Sequence, residues 1–179
     1  MPTISADLRY PIGTFERPDD ISASQRDEFI SIISKAPAEL ATAVQGLNSD
    51  QTNTPYRPGG WTVRQVVHHL PDSHMNSYIR FRLALTEDVP TIKPYDEAQW
   101  AELTDAKTAP IEYSIALLEN LHLRWVLLLE SLKSEDWKRA FRHPELGLMR
   151  LDQNLALYAW HSRHHVAQIA SLRKRAGWQ

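Results

Sequence analysis

The segment DQNLALYAWHSRHHVAQIASLRKR, Asp152 to Arg175, has the periodicity of an amphipathic helix. Apolar residues recur in it at intervals of three and four, the spacing of one helical face. They are Leu155, Ala159, Val166, Ile169 and Leu172. Arg173 to Arg175 stand at its end, where cations interact favourably with the helix dipole. The last helix is therefore predicted to run from about Asp152 to Arg175, with Gly177 near its end.

Three earlier segments show similar patterns. In SASQRDEFISIISKAPAELATAVQGL, Ser24 and Asp27 form a capping signal, and Pro37 predicts a break or kink. In PGGWTVRQVVHHLPDSHMNSYIRFRLALTE, Thr62 and Gln65 have the spacing of a capping box, so helix two is predicted to begin near Thr62. Pro71 is the point at which this helix is expected to bend.

The third helical segment, PIEYSIALLENLHLRWVLLLESL, opens with Pro110, a residue suited to the first helical position. Residues 87–109 before it form a long connection with one short helical candidate, DEAQWAEL, and SEDWKRAFRHPELGLMRLDQ after it reads as a short helix and a turn-rich loop. These patterns predict an all-α four-helix bundle, residues 1–179 in one domain, with a long crossover connection between helices two and three.

Composition narrows the function classes. The chain has no cysteine, so a metal site must use imidazole, carboxylate or water ligands. Its formal net charge is −2, with basic and acidic residues mixed along the chain, which argues against a nucleic-acid partner. The sequence contains no apolar run of about 18 residues and no leader-like N-terminus, so we expect a soluble, intracellular protein with no membrane partner.

Two helices carry a polar stripe beside their apolar face. Stepping by three and four along the last helix gives Asn154, Tyr158, His161, His165 and Gln168. The same steps along helix two give Gln65, His69, Asp72, Asn76 and Arg80, while Val66, Val67, Leu70 and Ile79 fall towards its packing face. Buried polar groups need partners, which facing stripes can supply to each other or to a metal.

Histidine spacing indicates a metal site within these stripes. Two imidazoles at i and i+4 converge on one ion, and a third from an adjacent helix completes three ligands while leaving positions open. His161, His165 and His69 fit that arrangement, with His68 as the rival of His69. From spacing alone, hydrogen-bonded interface or surface histidines fit equally well. His164 is expected near the rim, and His74, His122 and His143 are interpreted as ordinary polar residues.

No general base is evident in the histidine motif. The sequence is HSRHH, so Ser162 stands where an HExxH enzyme carries its glutamate. Asp72, one turn after His69, is a candidate to orient a ligand imidazole or to accept a proton; a solvated carboxylate or a partner of Arg80 is the alternative. Substrate-binding candidates are Asn76, Arg80, Tyr158 and Gln168.

WTVRQVVHHLPDSHMN and YAWHSRHHVAQI together resemble the DinB-like superfamily of four-helix-bundle metalloproteins. YPIGTF, DSHMNSYIRFRLALTE, PYDEAQWAEL and HPELG resemble its YfiT-type branch, named as metal-dependent hydrolases, so the likeness covers nearly the whole chain. It implies His69, His161 and His165 as ligands, Zn²⁺ or Ni²⁺ as the ion, one per chain, a homodimer and a cytoplasmic location. Pro71 departs from the family, in which many members have a small helix-forming residue there.

Hydrolysis of a small-molecule substrate is the first functional hypothesis, because a divalent ion with open positions activates water at neutral pH. Some relatives in the superfamily are thiol S-transferases, so transfer of a low-molecular-weight thiol such as bacillithiol is the second hypothesis. A non-catalytic, stress-related metal-binding protein is the third. Three ligands argue against that reading, because structural zinc usually takes four.

Overall fold

The computed structural model describes residues 7–178, and long helices dominate it. In chain order the helices are α1 (Ala23–Val44), α2 (Ser49–Thr52), α3 (Val63–Thr86), α4 (Glu97–Ala101), α5 (Thr104–Thr108), α6 (Ile111–Glu130) and α7 (Leu151–Ala176). A 3₁₀ turn (Asp136–Lys138) and two strands, β1 (Ala140–His143) and β2 (Gly147–Arg150), lie between α6 and α7. The predicted all-α bundle of four principal helices is confirmed.

The four long helices surround a common core in an order that differs from their order along the chain. α1 packs against α6 and α7, and α3 packs against the same two helices, so α1 and α3 are diagonal to each other. α3 and α7, which carry the two polar stripes, are therefore neighbours. This packing brings the stripes together.

Capping residues explain where the helices begin. Thr62 caps α3, its hydroxyl accepting the Gln65 N–H while the Gln65 side chain accepts the Thr62 N–H, as predicted. The capping signal predicted for α1 was wrong. Ser22 caps that helix with Gln25 in the reciprocal position, so Ser24 and Asp27 lie inside the first turns.

Neither interior proline ends its helix. Pro37 lies buried within α1 and Pro71 lies buried within α3, and both helices continue past them. The break considered at Pro37 is therefore wrong. A proline has no N–H, so Pro37 leaves the carbonyl of Ile33, one turn earlier, without its usual helical partner.

The segment before α7 contains the expected short helix, as the 3₁₀ turn Asp136–Lys138, but a hairpin follows it where a loop was expected. β1 pairs with β2 antiparallel, with Phe141 opposite Met149 and both side chains buried. Residues of the α3–α6 connection add to its edge, because the Ile92 N–H donates to the Arg142 carbonyl at 3.0 Å. This connection contains two short helices, α4 and α5, where one was predicted.

The packing face predicted for α3 is partly correct. Val66, Val67 and Leu70 are buried, whereas Ile79 is 48% exposed. Among residues 7–178, no helix is long and apolar enough to cross a membrane.

Candidate metal centre

Three histidine side chains from α3 and α7 converge on one point. The Nε2 atom of His161 lies 3.2 Å from the Nε2 of His69 and 3.2 Å from the Nε2 of His165. A ligand atom from each of the three lies within 4.8 Å of the others. His161 and His165 are one turn apart on α7, and His69 reaches them from α3.

The spacing of these nitrogens fits a divalent ion. Imidazole nitrogens lie about 2 Å from zinc, so two of them on a tetrahedral ion are separated by about 3.3 Å. The donor set is three imidazoles without thiolate, which suits zinc and nickel alike.

Burial keeps the three rings uncharged. It lowers the pKa of His69 to about 4 and the pKa values of His161 and His165 well below the usual range. The neighbouring histidines lower them further, because a positive charge on one ring disfavours a charge on the next. A metal ligand must be a neutral imidazole, so the site holds its histidines in the binding form at neutral pH.

Gln168 holds the outer nitrogen of His165. The Gln168 Nε2 donates to the carbonyl of Arg9 at 3.0 Å, and its Oε1 lies 2.9 Å from Nδ1 of His165. A carbonyl only accepts, so the amide nitrogen of Gln168 must face Arg9 and its oxygen must accept from His165. The proton of His165 is thereby placed on Nδ1, and its Nε2 lone pair faces the other two histidines.

The other predicted residues of α3 lie outside the group of three histidines. Asp72 is half-buried, and burial, with Asp105 nearby, raises its pKa to about 6. The side chain of Asn76 donates to the carbonyl of Asp72 at 2.9 Å. Arg80 is buried and lines a cavity of about 470 Å³ with Asn76 and Lys93, and no carboxylate of the described residues lies within 4.0 Å of it.

Tyr158 lies behind the candidate metal centre. Its hydroxyl is 3.3 Å from the Ser73 hydroxyl, and its ring packs against His74 and His161. It is buried, so it reaches the centre through its neighbours rather than through the open side.

Two histidines interpreted as ordinary polar residues are part of the site's surroundings. His74 is fully buried, and its Nε2 lies 3.2 Å from Nδ1 of His161. His122 is buried beside it, with its Nε2 2.8 Å from Nδ1 of His74. No periodic pattern singles them out, because the contacts join α3, α6 and α7 across the core.

Of the remaining histidines, only His164 lines the same cavity as the three candidate ligands. His68 contacts the Ser114 hydroxyl and the Ala109 carbonyl, so it faces away from the three histidines, in contrast to its rival His69. His164 was expected at the rim but is buried, stacked on Trp160. His143 accepts the N–H groups of Glu145 and Leu146 in the hairpin turn.

A cavity of about 440 Å³ opens in front of the three histidines. Glu97, from the connection between α3 and α6, is the one carboxylate among the described residues that line it. Burial raises the pKa of Glu97, and the positive charge of Arg80 opposes that change. Sequence reasoning did not single out Glu97, because it lies in the short helical candidate DEAQWAEL and no spacing in the sequence relates it to the three histidines.

The fold and the site together define a four-helix-bundle protein with a three-histidine candidate metal centre. The sequence profile of the DinB superfamily matches residues 32–169. The chain belongs to the DinB superfamily.

The matched relatives cover almost the whole chain. "Putative metal-dependent hydrolase YfiT" of Bacillus subtilis strain 168 is 52% identical over 175 residues, 97% of this chain and 98% of the relative. A "Putative metal-dependent hydrolase" of Bacillus cereus strain 03BB102 is 57% identical over 172 residues, 96% of this chain and 99% of the relative.

Solved structures give the same result for the fold. The structure of YfiT from Bacillus subtilis, described as "a probable metal-dependent hydrolase with an unusual four-helix bundle topology", matches with a TM-score of 0.94 over 96% of this chain and 99% of that chain, at 52% identity. The four-helix bundle protein TT2238 matches with a TM-score of 0.57 at 18% identity, over 79% of this chain and 94% of that one, and supports the fold alone.

Proposed function

We propose that this chain is a metal-dependent hydrolase of a small-molecule substrate, with one Zn²⁺ or Ni²⁺ held by His69, His161 and His165. The convergence of three neutral imidazoles carries the proposal, and the names of the relatives support its class. When bound, the ion supplies Lewis-acid activation of water and of a substrate carbonyl or phosphoryl oxygen. Three protein ligands would leave coordination positions open beside the cavity that the histidines line.

Acid–base chemistry in the cavity is assigned first to Glu97. Its carboxylate lines the same cavity as the three histidines, and burial raises its pKa, which favours a role in proton exchange. Asp72 also has a raised pKa, of about 6, but does not line this cavity. Asp72 is therefore the second candidate.

Substrate binding is proposed at two places. Asn76 and Arg80 line the neighbouring cavity, where a buried arginine with no carboxylate of the described residues within 4.0 Å favours an anionic group of the substrate. Gln168 and Tyr158 adjoin the histidines, and their hydrogen bonds favour a supporting role in shaping the pocket.

Thiol transfer is the alternative function, because the same open coordination positions suit a low-molecular-weight thiolate. It is distinguished by its requirement for a thiol. Consumption of an electrophile only when bacillithiol or an equivalent thiol is supplied supports transfer. Metal-dependent hydrolysis without any thiol supports the hydrolase.

A homodimer is proposed from the surface of α6. Tyr113, Leu117, Leu123 and Leu127 are between 45% and 70% exposed along this helix. Contiguous exposed apolar residues are typical of interaction surfaces. The cytoplasmic location stays a prediction.

Elemental analysis of the purified, tag-free protein tests the metal site. We expect about one zinc or nickel per chain in the wild type. His69→Ala and His161→Ala should both lose it, with circular dichroism showing that each remains helical. His143→Ala, which removes a buried histidine from the hairpin, is the matched control and should keep the metal.

Two results would contradict the proposed site or the proposed activity. Metal-free wild type after reconstitution with zinc and with nickel refutes the proposed site. Unfolding on metal removal, with no small molecule entering the coordination positions, supports a non-catalytic metal-binding protein in its place.

A further inference from the structure

A chain of hydrogen bonds crosses the bundle from the candidate metal centre to the far side of the core. Nδ1 of His161 lies 3.2 Å from Nε2 of His74, and Nδ1 of His74 lies 2.8 Å from Nε2 of His122. Nδ1 of His122 lies 2.6 Å from the carbonyl oxygen of Ile33. The chain therefore contacts all four long helices, α7, α3, α6 and α1.

The last partner decides the direction of every bond in the chain. The carbonyl of Ile33 only accepts, so His122 must donate from Nδ1. A neutral imidazole has one donor and one acceptor, so Nε2 of His122 accepts and His74 donates from Nδ1. Nε2 of His74 then accepts in turn, and His161 donates from Nδ1.

The carbonyl is available because of one residue in α1. In a regular helix the carbonyl of Ile33 accepts the N–H of residue 37, which here is Pro37 and has none. His122 takes the place of the missing donor. A buried carbonyl without a partner is unfavourable, so this bond stabilises the helix as well as the histidine.

Burial isolates the chain from water. His74 is 0% exposed and His122 is 2% exposed, so neither ring has solvent as a second partner. Burial lowers the pKa of both rings, and the neighbouring histidines lower that of His74 further, so both rings are neutral. The alternation of donor and acceptor along the chain is thus enforced by the protein.

We infer that His74 and His122 are positioning residues, which place the proton of His161 on Nδ1 and aim its Nε2 lone pair at the ion. The inference rests on the metal site of the proposed function. It adds that His161 is oriented through His74 and His122. The orientation begins at Pro37 on α1, a helix that carries none of the three proposed ligands.

The first test is nitrogen NMR of histidine-labelled, metal-free protein, which distinguishes a ring nitrogen that carries hydrogen from one that does not. We expect His161 with hydrogen on Nδ1 and a bare Nε2 in the wild type. In His122→Leu, His74 loses its fixed acceptor, and the signals of His161 should report a mixture of the two tautomers. A purely structural role for His122 would leave the tautomer of His161 unchanged.

The second test is the affinity for Zn²⁺, measured by competition with a chromophoric chelator. His74→Leu should bind zinc about 10- to 100-fold more weakly, the usual effect of removing a partner of a metal ligand. His122→Gln retains one donor for Ile33 and one acceptor for His74, and should bind more tightly than His122→Leu. The matched control is His68→Leu, which removes a buried histidine of the same helix from outside the chain and should bind as the wild type does.

Two results overturn the inference. One is hydrogen on Nε2 of His161 in the wild type. The other is unchanged zinc affinity in His74→Leu and His122→Leu, both folded by circular dichroism. Failure of the proposed function gives a different pattern, because the wild type itself then binds no zinc while the NMR experiment still reports the tautomer.

Discussion

Gln168 joins His165 to the N-terminal segment, with its Oε1 2.9 Å from Nδ1 of His165 and its Nε2 3.0 Å from the carbonyl of Arg9. One side chain thus orients a candidate metal ligand and fixes the segment that lies over the cavity. His161 is oriented in the same manner, because its hydrogen-bond chain through His74 and His122 also ends on a backbone carbonyl.

Substitution of Gln168 separates these two contacts. Gln168→Leu removes the acceptor of His165 and should weaken zinc binding by about 10- to 100-fold. Gln168→Glu retains an oxygen for the Nδ1–H of His165 and should keep most of the affinity, while it loses the donor to Arg9. Competition with a chelator measures both. Wild-type affinity in Gln168→Leu would show that His165 needs no such partner.

Glu97→Gln should lower kcat by about 10²- to 10⁴-fold, the usual range for a general acid or base, with metal content unchanged. The carboxylate lines the cavity but is not one of the three converging ligands. The profile of hydrolysis rate against pH should lose the part that reports the titration of Glu97. Glu112→Gln, at the start of α6, is the control and should leave the rate as it is. Full activity in Glu97→Gln would return the acid–base role to Asp72.

Asp72→Asn should stabilise the metal-free fold at neutral pH. Burial raises the pKa of Asp72 to about 6, above the value of 3.8 for an unperturbed group, so the ionised carboxylate disfavours the folded state. The destabilisation is absent when the pH is below the pKa of Asp72 in the unfolded chain. It is fully present when the pH is above the pKa of Asp72 in the folded protein. We expect a gain of about 1–2 kcal/mol near pH 7.5, after allowance for solvent screening, that shrinks towards pH 5.

Urea unfolding at both pH values measures this gain. A gain of the same size at each pH would attribute the stabilisation to something other than the charge of Asp72. Loss of stability at pH 7.5 would show that the ionised carboxylate has a favourable partner in solution.

Charge on the exposed face of α6 should dissociate the proposed homodimer. Leu123 and Leu127 are 62% and 69% exposed, and a glutamate at either position places an unpaired charge in an apolar contact. Sedimentation velocity should show the wild type as a dimer and Leu123→Glu/Leu127→Glu as a folded monomer. Leu148→Glu, on β2, is an exposed control that should stay dimeric. A monomeric wild type would contradict the proposal.

The helices were predictable because their signals are local. Thr62 and Gln65 lie three residues apart, and their capping box gives the start of α3 from sequence alone. The hairpin was not predicted, because its strands are four residues long and half-covered by α3 and α7, so their pattern is too short to distinguish from a loop. The break at Pro37 did not occur, and sequence alone did not show that His122 replaces its missing N–H; a kink there stays a prediction.

The candidate site likewise has residues that the sequence predicted and residues that it did not. His161 and His165 share a face of one helix, so their spacing indicates their proximity, and the capping of α3 places His69 towards the same core. His74, His122 and Glu97 depend on how separate helices pack and on the path of the connection between α3 and α6. Those contacts are long-range, and one sequence contains no record of them.

The distance along the chain between His69 and His161 has a further consequence. They are 92 residues apart, so the three nitrogens converge only after the intervening chain has folded back and α3 has docked on α7. The entropy of closing so long a loop is lost before any contact across it forms, which places this step late in folding. An ion bound at the proposed site would favour the native chain over the unfolded one, and free ion at 100 times its Kd would add about 2.7 kcal/mol to the stability of the native state. The time at which zinc is taken up during refolding would then report when α3 docks on α7, so zinc uptake would follow the assembly of the bundle.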